Sequence, residues 1–234
     1  MVNQPTQQKQ NWKKDPDNKY LSRAPRNRLE AEFVRDMYLS TSGLLNTTIG
    51  GPSVKPYQPK GLWEATTSGR GVLAVYRQDH GEDLYRRGLY TFIKLTVPPP
   101  GMILFDASNR DQCEVKRVNT NTPLQALIMM NEPGVLEAAR VMAERLEKEP
   151  LDASARIQTA FRKIICRKPS DKELKMLQEY YDEQLQLHRD GKLKAAITLN
   201  AGEYPHIDGI DKNSAAALMK TIGVIYNMEE AIVR

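Results

Sequence analysis

Two carboxylates four residues apart, Glu32 and Asp36, fall on one face if the segment around them is helical. A general acid and its partner base would be presented to a substrate in that way. Arg28 and Arg35 stand at helical spacing beside them, so the plainer reading is a solvated face of mutually supporting ion pairs. A denser polar set lies between Phe105 and Leu124: Asp106, Asn109, Arg110, Asp111, Cys113, Lys116, Arg117, Asn119, Thr120, Asn121 and Thr122, with Gln125 just beyond. Thr120-Asn121-Thr122-Pro123 spells a helix start, whose free amide groups could hold an anion or a carboxylate. Its plainer role is to cap that helix and tie down the incoming loop. Asp106 joins Glu32 and Asp36 as a candidate acid or base, because acid–base catalysis by carboxylates needs one whose pKa is raised. The candidate binding residues are Arg28, Arg35, Arg86, Arg87, Asn109, Arg110, Arg117, Thr120, Asn121, Thr122 and Gln125.

Other chemistries find no support. His80, His188 and His206 are scattered, without metal-ligand spacing. There is no haem-attachment CxxCH, no phosphate-binding glycine loop and no GxSxG elbow, so neither metal nor cofactor is expected in this chain. Cys113 and Cys166 lie 53 positions apart and read as two reduced thiols rather than a bridge. Basic neighbours would lower the pKa of an exposed Cys113, but no histidine nearby in sequence supplies a base.

The net charge of +5 resides in residues 1–28, where seven cations face two anions; the remaining 27 cations and 27 anions cancel. A nucleic-acid binder carries its basic face on the folded body, so no nucleic-acid partner is expected. No apolar run approaches the roughly 20 residues of a membrane span. No secretory signal opens the chain, which at face value means cytoplasmic.

The elements that must position these groups are helices. Residues 1–20 form a polar basic leader expected to be disordered, and residues 21–234 a single helical domain. Leu29, Phe33, Val34, Met37 and Tyr38 recur at helical spacing up to Gly43, a stop signal. Residues 43–70 are a Pro/Gly-rich loop carrying Tyr57, Leu62 and Trp63. Val72–Arg77 and Met102–Phe105 read as short extended pieces, and Asp83–Leu95 as a helix ended by Pro98-Pro99-Pro100. Beyond residue 118 every stretch is helical: starts fall at Thr122-Pro123, Pro133, Ser154, the Ser170 capping box, Leu193 and Ser214. Leu124, Leu127 and Ile128 are expected in the core. The fold class is mainly α, an irregular helical domain with a Pro/Gly-rich central loop region.

Several blocks together carry a resemblance: Asn27-Arg28-Leu29-Glu30-Ala31-Glu32-x-x-Arg35-Asp36, Gly50-Gly51-Pro52-x-Val54, Pro56-Tyr57-Gln58-Pro59-x-Gly61-Leu62-Trp63, Arg86-Arg87-x-Leu89-Tyr90-Thr91-Phe92, Phe105-Asp106-Ala107-x-Asn109-Arg110-x-x-Cys113, Thr120 to Leu127, Gly202-Glu203-x-Pro205 and Asn227-Met228-Glu229-Glu230. Over about residues 18–234 the chain resembles the PSD-one domain of unknown function, found at the C-terminal end of planctomycete-type multidomain proteins with cytochrome-c-like modules. The polar leader stands where that family has a further helical half. The resemblance implies an exported, periplasmic or extracellular protein with haem only in upstream modules, and no established activity. On this basis the chain is expected to be an accessory or interaction module of a cytochrome-c-like or polysaccharide-processing protein. It would present residues 43–63 and 105–125 to other modules or subunits, or to a glycan. The alternative is a carbohydrate-active hydrolase using Glu32, Asp36 or Asp106.

Overall fold

The computed structural model describes residues 13–22, 27–67, 71, 73–108, 110 and 113–233. Most of the leader, residues 1–12, and the candidate residues Asn109 and Asp111 lie outside them. Residues 13–22 hold turns organised by Asp15, which is buried and accepts the backbone N–H of Lys19 (2.8 Å) and Tyr20 (3.0 Å). The structure is 54 % helical, with no strand among the described residues.

Helix α1 (Ala31–Ser42) buries Val34, Met37, Tyr38 and Leu39 along its apolar stripe. It stops at Gly43, whose φ of 76° closes the last turn as only glycine does cheaply. The Pro/Gly-rich region contains α2 (Leu62–Thr67), which buries Trp63 against the rings of Tyr76 and Phe92, 5.0 and 5.8 Å away. Val72–Arg77, expected to be extended, forms no ladder among its described residues; it is pinned by side chains, with Tyr76 donating to the Pro56 carbonyl.

Two expectations are corrected here. Asp83–Leu95 is not a helix but two 3-10 turns, Gly81–Tyr85 and Gly88–Tyr90. Arg86 and Arg87 between them are extended, because this segment's polar groups bond to distant partners instead of to the next turn. Gly88 donates to Asp36 (2.6 Å), and the Arg86 guanidinium donates to the carbonyls of Thr48, Gly50 and Pro52. Met102–Phe105 is not extended: Pro100 occupies the first turn of α3 (Pro100–Leu104), where its fixed φ suits a helix.

The helical remainder follows the start signals: α4 (Pro123–Asn131), α5 (Pro133–Lys148), α6 (Ala153–Ile165), α7 (Asp171–Arg189), α8 (Ala195–Thr198), α9 (Lys212–Tyr226) and α10 (Glu229–Ile232). Among the most buried is α9. Ala215, Ala216, Ala217, Leu218, Ile222, Ile225 and Tyr226 have no accessible surface, as a helix apolar on most sides requires. It packs on α5, α7 and α6, while α1 crosses α5. In α4 the expected core face is corrected. Leu124 and Leu127 are more than half exposed, Ile128 is partly buried, and Gln125 and Met129 are the buried residues. The short α4 turns inward the side that reaches Leu104 and the core.

Candidate functional site

The polar residues singled out in the sequence converge largely on one another. Arg28 donates to the carbonyl of Thr120 (2.8 Å) and to Asp106 Oδ2 (2.5 Å), over the face of Phe105. Asp106 also accepts the backbone N–H and the hydroxyl of Thr120, both at 2.8 Å. Burial opposes ionisation of Asp106, but the Thr120 bonds and the Arg28 charge outweigh it and lower its pKa. Arg117 grips Glu32 through two nitrogens (2.7 and 3.0 Å) and touches Glu30 (3.1 Å). Glu32 is lowered in the same way: burial raises it, and the Arg117 bond and charge bring it below the usual range. Arg87 donates to Asp36 (2.9 Å). The two terminal nitrogens of Arg86 donate to three carbonyls, and the guanidinium lies 3.9 Å from the Tyr90 ring centre. Arg110 and Asn121 are exposed.

At the start of α4, Gln125 returns its side-chain oxygen to the Thr122 N–H (3.4 Å) and donates to the Leu104 carbonyl (2.8 Å). Asp106 therefore meets the chain at Thr120, before the helix, rather than at its first-turn amides. This network staples α1 to the loop 105–122. None of the three cavities described below is lined by Glu32, Asp36 or Asp106.

A different centre emerges on the other flank of α1. A cavity of about 270 Å³ opens between α1, the Pro56–Pro59 loop, Thr91, the start of α3 and the α4–α5 junction. Prolines build much of its wall: Pro56 and Pro59 on one side, Pro99 and Pro100 on another, Pro133 at the start of α5. Their fixed φ angles make the cavity rigid before anything enters it. Tyr38, Tyr57, Met102 and Ile128 supply apolar surface. Two further hollows, of about 370 and 470 Å³, are more open; one lies by Arg145 and Lys163, the other by Glu82 and Glu203.

Four polar groups stand on the first cavity's wall without a full set of partners. Arg35 is buried and donates to Tyr38 Oη (3.2 Å) and the Leu84 carbonyl (2.5 Å), but its Nε has no partner among the described residues. The same holds for Gln58 Nε2 and Thr91 Oγ1. Glu132, the fourth, occupies the N-cap position of α5 yet makes no cap hydrogen bond. Its carboxylate lies instead over Gly101: a Cβ there would sit 3.0 Å from Oε2, so a glycine makes room for the acid. Burial pushes the Glu132 pKa up, and the nearby Arg35 charge offsets only part of that. Buried polar groups are satisfied in most proteins, so a cluster of exceptions around one hollow marks a site.

Of the described candidates read from the sequence, Arg35 alone lines this cavity. Glu132 had no signal, since a charged residue before a helical proline looks like any helix start. Gln58 and Thr91 belong to distinctive sequence blocks and could have been singled out as the polar members of otherwise apolar runs. Cys113 and Cys166 are free and exposed. Among the described residues, no three His, Cys, Asp or Glu are arranged to hold a metal ion and no helix is long and apolar enough to cross a membrane.

A family model described as PSD1, protein of unknown function (DUF1553), matches residues 3–181. The matched span includes the leader from residue 3, all of the polar staple and every residue lining the cavity, and ends within α7. No curated protein and no solved structure matches the chain.

Proposed function

We infer, for a chain that belongs to the PSD1 family of proteins of unknown function (DUF1553), that its work is recognition rather than hydrolysis, with the proline-walled cavity as the working site. The observation that carries this is Glu132, a carboxyl turned away from its capping position into a rigid apolar hollow beside the unpartnered atoms of Arg35, Gln58 and Thr91. The hydrolase alternative is weaker. A general acid needs a raised pKa, and Glu32 and Asp106 are both lowered by the arginines that hold them.

The module belongs, in this reading, to an exported planctomycete-type protein, periplasmic or extracellular, that handles polysaccharide and carries haem in neighbouring modules. The exposed apolar residues Leu124, Leu127 and Met130 of α4 support contact with another module or subunit. Amide and side-chain NMR spectra of the chain, titrated with a library of small acids, amines and sugars, test the site. Signals of Gln58, Thr91 and Arg35 Nε should move together on binding. Glycosidase turnover abolished by Asp106→Asn, with no response at the cavity, would restore the hydrolase reading.

A further inference from the structure

The reading of the cavity as a binding site leaves its ligand open, and the charges on its wall narrow the choice. The Arg35 guanidinium and the Glu132 carboxyl share that wall. A charged ligand would bring a further charge into a hollow walled by prolines and tyrosines, where such a charge is costly. An amine would meet Arg35, and a carboxylate would meet Glu132. A neutral ligand avoids both conflicts.

It must also satisfy groups of both kinds. The Arg35 Nε and Gln58 Nε2 are donors, the Glu132 carboxylate is an acceptor, and the Thr91 hydroxyl can be either. Hydroxyl groups donate and accept, so several of them on one ring answer the whole set; an ether or a ketone answers the donors alone. The remaining wall, with Tyr57, Pro59 and Pro100, offers flat apolar surface to the C–H face of a ring. The hollow, of about 270 Å³, leaves room for one six-membered ring.

We propose that this cavity binds a single neutral pyranose unit, with Glu132 accepting from one or two ring hydroxyls and Gln58, Thr91 and Arg35 Nε donating to others. The unit is either a free monosaccharide or the terminal residue of a longer glycan. The proposal rests on the cavity being the working site, and the experiment separates the two claims.

Isothermal titration and NMR on the full chain would use four neutral aldohexoses, their oligosaccharides, the matching uronic acids and hexosamines, and cyclohexanecarboxylate. At least one neutral sugar should saturate the site. Glu132→Gln and Thr91→Val should each weaken it fivefold or more with no loss of melting temperature, and Ile128→Trp, which fills the hollow, should abolish it. Tighter binding of the oligosaccharide with the same cavity signals moving identifies a chain end, and equal binding a free sugar. A uronic acid, a hexosamine or the cyclic carboxylate binding more tightly than every neutral sugar, at the same residues, overturns the ligand class and leaves the cavity as the working site. If no probe moves the signals of Gln58 and Thr91, both claims fail.

Discussion

Glu132 carries an unusual load for a residue at a helix start. Its raised pKa means that the folded state favours the protonated form. The stability associated with that form is fully present below the ordinary carboxylate range, and is lost as pH rises through the raised value. Glu132→Gln is therefore expected to raise the melting temperature by about 2–4 °C at pH 7, consistent with about 1 kcal/mol in a chain this size, and to change nothing near pH 4. Thermal melts at both pH values check it; an equal shift at each would remove the carboxylate's charge as the cause. Asp106 behaves oppositely. Its lowered pKa contributes stability above the ordinary range, lost as pH falls through the lowered value. Asp106→Ala leaves the nearly buried Arg28 side chain with carbonyl partners only, and should cost about 3 kcal/mol by urea denaturation. The Arg28–Asp106 pair joins two segments that sequence reading had already marked. Glu132 was not legible, because its environment comes from Gly101 and α1, remote in the chain.

At the scale of elements, α5 holds three charged residues on one buried stripe: Glu137, Arg140 and Glu144, each at most 1 % exposed. They are covered by the segment 201–207. Arg140 donates to the carbonyls of Ala201 (2.8 Å) and Tyr204 (2.6 Å), Glu137 accepts the Tyr204 N–H (2.7 Å), and Glu144 meets His206 (2.7 Å). Arg140→Ala strands two buried carboxylates, and we expect a loss of about 3–5 kcal/mol. Gly202→Ala should be comparably harmful, because φ there is +74° and a methyl would overlap the Glu137 carboxyl. The apolar positions of α5 were readable from their spacing; its buried charges were not, since the same i, i+3, i+7 pattern on a surface helix is simply solvated. The backbone and side-chain groups that cover them lie in residues 201–207, some 60 residues on. In α4 the exposed Leu127 predicts that Leu127→Gln stays within about 0.5 kcal/mol of the parent. Ile225→Ala in α9 should cost about 2–5 kcal/mol. Paired chemical denaturation of these two variants tests the corrected burial directly.

For the molecule as a whole, the centre of the core lies outside the family match, which ends at residue 181, while α9 begins at Lys212. A chain cut after residue 181 would lose the helix against which α5, α6 and α7 pack. It should show no cooperative thermal transition and collapsed amide dispersion by NMR. A sharp transition in that truncated chain would mean that the matched span folds alone.

What the sequence by itself determined is the local punctuation. Gly43, Pro123, Pro133 and the Ser170–Glu173 capping box end or begin helices where they stand, because each acts on backbone within a turn of itself. The mainly helical class followed from that punctuation and from apolar spacing. Only the tertiary structure decided which polar groups are spent and which remain. Arg28 reaches Thr120 across 92 positions, Arg86 reaches Pro52 across 34, and Arg35 meets the Leu84 carbonyl across 49. It also turned Leu124 outward and Glu132 inward. Burial and pairing depend on neighbours that folding brings together from far along the chain, and no window of local sequence contains them.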